Sequence, residues 1–228
     1  MIPVRDEIRT RETPVVNYLL IAVNALVFLL MFSMSDTSLD AFFNQHAMIP
    51  ANYTDGSVSF GDVMDIFTSM FMHAGLAHIG GNMLYLWIFG DNVEDRVGHG
   101  RYLIFYLVGG LVADLAHFLT DPYSPIATVG ASGAISAVLG AYLVYFPGSQ
   151  IATFVPLPFG RFYKMTMLPA AVVLGFWFVF QLFDGVAALG GADVGGVAVW
   201  AQIGGFVAGM VLAKLIPVAR RTRQAYAW

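Results

Sequence analysis

Where the positive charge sits decides most of what this chain can fold into. All eleven Lys and Arg residues fall between six apolar stretches or at their ends. About 20 apolar residues are needed to cross a bilayer as a helix. The candidate stretches are Val15 to Met34, Met72 to Phe89, Tyr102 to Leu119, Gly130 to Phe146, Thr166 to Phe183 and Gly196 to Ile216. Arg5, Arg9 and Arg11 precede the first. Arg96 and Arg101 separate the second from the third, and Arg161 and Lys164 the fourth from the fifth. Lys214, Arg220, Arg221 and Arg223 close the sixth. The other connections hold no cation. Six crossings put every cation on one face, and the positive-inside rule makes that face cytoplasmic, with both termini on it.

Only 11% of the residues are charged and 58% are hydrophobic, against about 25% charged in a soluble domain. The sequence therefore predicts an all-α polytopic membrane protein: one six-transmembrane-helix bundle over residues 1–228. Residues 1–14 form a cytoplasmic N-terminus, 35–71 an external loop, and 217–228 a cytoplasmic tail. The external loop carries Asp36, Asp40, Asp55, Asp62 and Asp65, yet also Phe42, Phe43, Met48 and Ile49. Such a loop is expected to pack on the outer leaflet. Asp6, Glu7 and Glu12 among the N-terminal arginines do not match a cleaved signal peptide. With no cysteine, disulfides and thiolate metal sites are excluded. No basic aromatic patch for nucleic acid exists. The lipid bilayer is the expected surroundings.

Topology converts position into depth. The second stretch enters from outside, so His73 lies at its outer edge. At 1.5 Å per residue, His78 lies about 8 Å further along and Asn82 about 14 Å. Four residues apart, His78 and Asn82 share a face. Ser132, in the run Thr128-Val129-Gly130-Ala131-Ser132-Gly133-Ala134, opens the fourth stretch from the same side. Gln202 enters the sixth from that side too. Polar residues on three helices thus share a depth in the outer half of the membrane.

Small residues surround them. Gly133, Ala137 and Gly140 line the fourth stretch, and Gly205 and Gly209 form a Gly-x-x-x-Gly in the sixth. That spacing permits close helix contact and brings residue 202 toward Ser132. Taken singly, a membrane serine is usually glue between helices. His99 and His117 read as structural, His46 as loop surface, and Phe176 to Phe183 as lipid-facing bulk. The histidines at 73 and 78 are rotated apart on a helix, with no acid at their depth. A zinc site needs three good ligands and an open position, so no metal and no cofactor are expected.

Three blocks carry a resemblance. They are Phe71-Met72-His73-Ala74-Gly75-Leu76-Ala77-His78-Ile79-Gly80-Gly81-Asn82-Met83-Leu84 with Gly90, Glu94 and Gly98; Gly130-Ala131-Ser132-Gly133-Ala134-Ile135-Ser136; and Gly195 to Phe206, which contains Trp200-Ala201-Gln202-Ile203-Gly204-Gly205. In combination and order they resemble a rhomboid intramembrane serine protease of the six-span bacterial type. The resemblance implies that Ser132 is the nucleophile. His78 and Asn82, with the Ser132 amide, would stabilise the oxyanion. Gly130 and Gly133 would shape the turn, and His73, at the outer edge, is read as a loop anchor or water contact that helps shape the site. Position 202, normally the dyad histidine, holds Gln202.

A hydroxyl attacks only when a base takes its proton, and an amide does not titrate near neutral pH. The resemblance thus implies a serine endopeptidase scaffold that cuts single-span membrane proteins near the outer interface, with spans two and five as the entry gate. In this chain the activity would be impaired or absent. The alternative is a catalytically inactive protein that binds transmembrane helices. Both have transmembrane helices of single-span proteins as partners, and neither has nucleic acid. The implied location is a bacterial inner membrane. A small transporter would need a polar path through both leaflets, and Asp114 is the lone mid-span acid.

Cysteines placed at Ser57 and Pro125 should react with an impermeant thiol reagent added outside intact cells, and one at Thr222 should not. The reverse pattern would overturn the orientation.

Overall fold

The computed structural model describes residues 1–54, 56–156, 163–189 and 198–219. Asp55, Arg161, Thr222, the tail from 220 and the part of the third block before Ala198 lie outside the described residues.

The chain opens with a short strand β1, Ile2–Asp6, followed by helix α1, Val15–Phe32. No side chain of its own caps α1. Instead, the Glu94 carboxylate accepts from the Val16 and Asn17 N–H groups at 3.0 and 2.7 Å, placing negative charge on the positive end of the helix. The described part of residues 33–75 holds two small α-helices and a 3-10 turn at Pro50–Tyr53. Ser35 caps α2, Asp36–His46, and a Ser59–Asp62 capping box opens α3, Phe60–Ser69. This supplies local partners for backbone groups that a helix start leaves free.

Helix α4, Leu76–Tyr85, runs through a π turn at Leu86–Gly90 into α5, Asp91–Val97. At the π turn the Leu86 carbonyl accepts from Asn17 Nδ2 at 3.0 Å, and Asn17 Oδ1 accepts from the Tyr102 hydroxyl at 2.8 Å. Gly98, at φ 89°, turns the chain into α6, His99–Thr120. Helices α7, Ser132–Tyr145, α8, Ala170–Leu189, and α9, Val199–Leu215, complete the bundle. Among the described residues α1, α6 and α8 are long and apolar enough to cross a membrane, and α7 and α9 are shorter apolar helices.

The protein is mostly helical, but the all-α expectation needs one correction. β1 pairs antiparallel with β2, Gln150–Pro156, which pairs antiparallel with β3, Tyr163–Pro169. Ile2, Phe154 and Met165 stand in one row across the sheet. The physical reason lies in Ile151, Thr153, Phe154 and Val155, β-branched and aromatic residues that suit a pleated surface. A strand of seven residues carries little periodic signal beside helical stretches of twenty. The fifth stretch is displaced accordingly. Thr166 belongs to β3, and the helix begins at Ala170. Beside the sheet, the Asp6 carboxylate accepts from Asn92 Nδ2 and the Tyr142 hydroxyl, each at 2.7 Å. Burial, then the nearby Asp6 charge, pushes the Asp91 carboxyl up to about 7.

Helix α7 is the post of the bundle. Every residue from Gly133 to Tyr142 is buried, and α7 touches α4, α5, α6, α8 and α9. Its approach to α9 is made by glycines. A Cβ at Gly209 would meet the Ala137 carbonyl, and one at Gly205 would meet the Gly133 carbonyl. A Cβ at Gly140 would meet the backbone of Phe206. These atoms are backbone and cannot turn aside.

Gly209→Val should therefore lower stability by about 1–3 kcal/mol or more, read as a fall in thermal midpoint in detergent. Gly175→Ala, with nothing within 4 Å of the added carbon, should be neutral or stabilising by up to about 1 kcal/mol.

Candidate active site

Ser132 is the first residue of α7 and is half-buried, whereas its neighbours on both sides are buried. The loop that delivers it is pinned to the 33–75 segment. Thr128 N–H donates to the Met48 carbonyl at 2.7 Å, and Gly130 N–H to the Ser69 carbonyl at 2.9 Å. Gly130 has φ 121°, a conformation open to glycine and strained for other residues. The fold thus holds the chain in a tight bend two residues before Ser132. Ser136, one turn below, spends its hydroxyl on the Ser132 carbonyl at 2.6 Å. It is a back-bonding serine of the structural kind. The Ser132 hydroxyl itself is engaged by no hydrogen bond among the described residues.

His78 and Asn82 reach this bend from α4. A Cβ on Gly130 would lie 2.7 Å from His78 Nε2 and 3.6 Å from Asn82 Nδ2. The glycine therefore serves twice, permitting the bend and leaving space for the imidazole. Asn82 is buried, and its Nδ2 has no hydrogen-bond partner among the described residues. An orphaned buried amide is costly, and here it is a donor aimed at the bend before Ser132. His73 is 2% exposed and packs edge-on against His78, with ring centroids 5.0 Å apart. Among the described residues neither of its buried ring nitrogens makes a hydrogen bond of good geometry. A small apolar cavity of about 250 Å³ beside His73 is walled by α1 and α2 residues such as Phe28 and Phe43. Ser132 is not among its lining residues.

Gln202 is half-buried on α9. A Cβ on Gly133 would sit 4.0 Å from the Ala201 Cβ, so the residue after Ser132 faces the residue before Gln202. The Gln202 carboxamide is already engaged: its Oε1 accepts from Gln181 Nε2 of α8. The sequence reading missed Gln181. The available signal was a lone amide in a stretch that otherwise runs Val172 to Phe183 without a polar side chain.

The remaining histidines lie elsewhere. His99 pairs with Glu94, and His46 packs on Phe42 with centroids 4.7 Å apart. His117 is on α6 with a buried, unpartnered Nδ1. Among the described residues no group of three His or acidic side chains could hold a metal ion.

Chemically, an imidazole and an amide donor border the bend that leads into the half-buried Ser132 at the start of α7, with a neutral carboxamide on α9. Gly130→Ala should lower stability by about 1–3 kcal/mol, since both backbone strain and the His78 contact oppose it, read as a fall in thermal midpoint. It should also shift the His78 imidazole ¹⁵N resonances. Gly75→Ala, in extended backbone with open space around it, should do neither.

Residues 61–218 match the Rhomboid domain. Among curated relatives, Rhomboid protease GluP of Bacillus subtilis (strain 168) is 31% identical over 193 residues, covering 84% of this chain and 35% of that protein. Rhomboid protein 1, mitochondrial, of Saccharomyces cerevisiae is 29% identical over 164 residues, 70% of this chain and 46% of that protein. The human presenilin-associated rhomboid-like protein, mitochondrial, is 31% identical over 134 residues, 56% of this chain and 35% of that protein. The chain thus spans less than half the length of each of these relatives.

Proposed function

Because the chain belongs to the rhomboid family, as the match over residues 61–218 establishes, we propose that it is built as an intramembrane serine endopeptidase whose turnover is suppressed at Gln202. It is a multi-pass integral membrane protein. The observation that carries the reading is the convergence of His78 Nε2 and Asn82 Nδ2 on the Gly130 bend that delivers Ser132.

In this reading Ser132 Oγ attacks the scissile carbonyl of a client helix. The oxyanion that develops is met by His78, by Asn82 Nδ2 and by the Ser132 backbone amide. Preorganised donors of this kind supply a few kcal/mol each, and more where water is scarce. Clients are single-span membrane proteins that enter between α4 and α8 and are cut near the outer interface. Both termini are cytoplasmic, in a bacterial inner membrane.

The step this chain lacks is proton transfer. The Ser132 proton needs an acceptor that later returns it to the leaving amine. The carboxamide of Gln202 does not titrate near neutral pH, and its oxygen already accepts from Gln181. That bond favours a second reading for the chain as it stands, in which it binds transmembrane helices and releases them uncut.

Gln202→His should create cleavage of a transmembrane reporter, with a gain of about 10³-fold or more because nucleophile and base act as a unit. A second Ser132→Ala change should abolish it, and a fluorophosphonate probe should label Ser132 only with histidine at 202. A folded Gln202→His protein that cut no single-span reporter would leave helix binding as the function.

A further inference from the structure

We infer that Gln181 is a positioning residue for the side chain at 202, completing a line from Ser132 on α7 through position 202 on α9 to α8. The inference rests on reading 202 as the base position.

The seam between α8 and α9 is otherwise apolar. Phe178 stacks on Phe206 with ring centroids 4.7 Å apart and 23° between planes. Further along α8, a Cβ at Gly185 would lie 3.2 Å from Ile203 Cδ1 and 3.4 Å from the Trp200 ring. The helices run antiparallel, so 178 and 185 on α8 bracket 181 while 206 and 200 on α9 bracket 202. Gln181 and Gln202 meet midway. The other polar residue of α8, Asp184, is exposed, and Gln181 is half-buried. A leucine at 181 would fill this seam as well as a glutamine does. The amide gains over leucine only if position 202 is polar, because an unpartnered amide in an apolar seam is costly.

A carboxamide is two-sided. Toward Gln202, residue 181 presents its NH₂ to the neighbouring oxygen. Toward an imidazole at 202, it can present Oε1 to Nδ1–H. That contact fixes the tautomer in which Nε2 carries the lone pair, the one a base opposite Ser132 needs. On attack, the Ser132 proton passes to Nε2 as the Oγ–carbon bond forms. Nδ1–H stays on Gln181 Oε1. The Nε2 proton then goes to the leaving amine nitrogen as the peptide carbon–nitrogen bond breaks. Gln181 neither gains nor loses a proton.

The test uses Gln202→His alone, with Gln181→Leu and with Gln181→Glu. It follows reporter cleavage against pH and the imidazole ¹⁵N spectrum at 202. Gln181→Leu should lower kcat/KM by up to about 10-fold, the loss that goes with one neutral hydrogen bond to the ring, and should reduce the Nδ1–H tautomer. Gln181→Glu should recover the rate and move the acidic limb to higher pH, because a carboxylate stabilises the imidazolium. An unchanged tautomer in Gln181→Leu, together with an acidic limb that stays put in Gln181→Glu, would overturn the assignment. A fall in rate that merely tracks a fall in thermal midpoint would overturn it as well. If Gln202→His cleaves nothing, the base reading fails, and the ¹⁵N spectrum still decides whether 181 holds the ring: a tautomer indifferent to Gln181→Leu says it does not.

Discussion

The contact between α7 and α9 is the constraint on which the rest of the structure depends. Three glycines, at 140, 205 and 209, remove side chains where the two helices cross, and the backbone of each helix fills the space. Without a hydrophobic drive between helices in lipid, close backbone packing is a main source of association. A carbonyl has no alternative rotamer, so the contact has little tolerance. It sets how far α9 can slide along α7, and therefore which residue of α9 faces the start of α7. Ala113 of α6 packs into the same crossing, next to Gly133 and Gly205.

A second layer of constraint acts at the two ends of the bundle. At one end, Glu94 holds the start of α1, Asn17 ties the π turn to Tyr102, and Asp6 ties the sheet to Asn92 and Tyr142. At the other, Ser69 and Met48 carbonyls grip the loop before Ser132. These polar ties let an otherwise greasy bundle choose one register. The site lies where rigidity from the glycine crossing meets the gripped loop. That combination holds the side chains around the Gly130 bend in fixed positions.

Much of this was legible in the chain. Apolar stretches bounded by cations gave helices, and α1 and α6 lie close to the stretches read for them. The pairing of small residues on the fourth and sixth stretches gave the α7–α9 contact, since Gly-x-x-x-Gly has few other uses in a membrane helix. His78 and Asn82 were readable as one face by their four-residue spacing. The sheet was not readable, because β1 is separated from β2 by well over a hundred residues and neither strand is stable alone. Gln181 escaped for a related reason: a single amide in a helix says nothing of its partner until the helix that faces it is known.

The sequence by itself determined the family, the multi-pass membrane character and the set of polar residues available for chemistry, because these follow from local composition, period and motif. Only the tertiary structure decided who meets whom. It put His78 Nε2 and Asn82 Nδ2 around the Gly130 bend, gave the Ser136 hydroxyl to a backbone carbonyl, and closed the oxygen of Gln202 with Gln181. Those pairings depend on helix rotation and on distances of a few ångströms across the bundle. Both are set by packing against other helices, and a helix cannot encode them in its own residues.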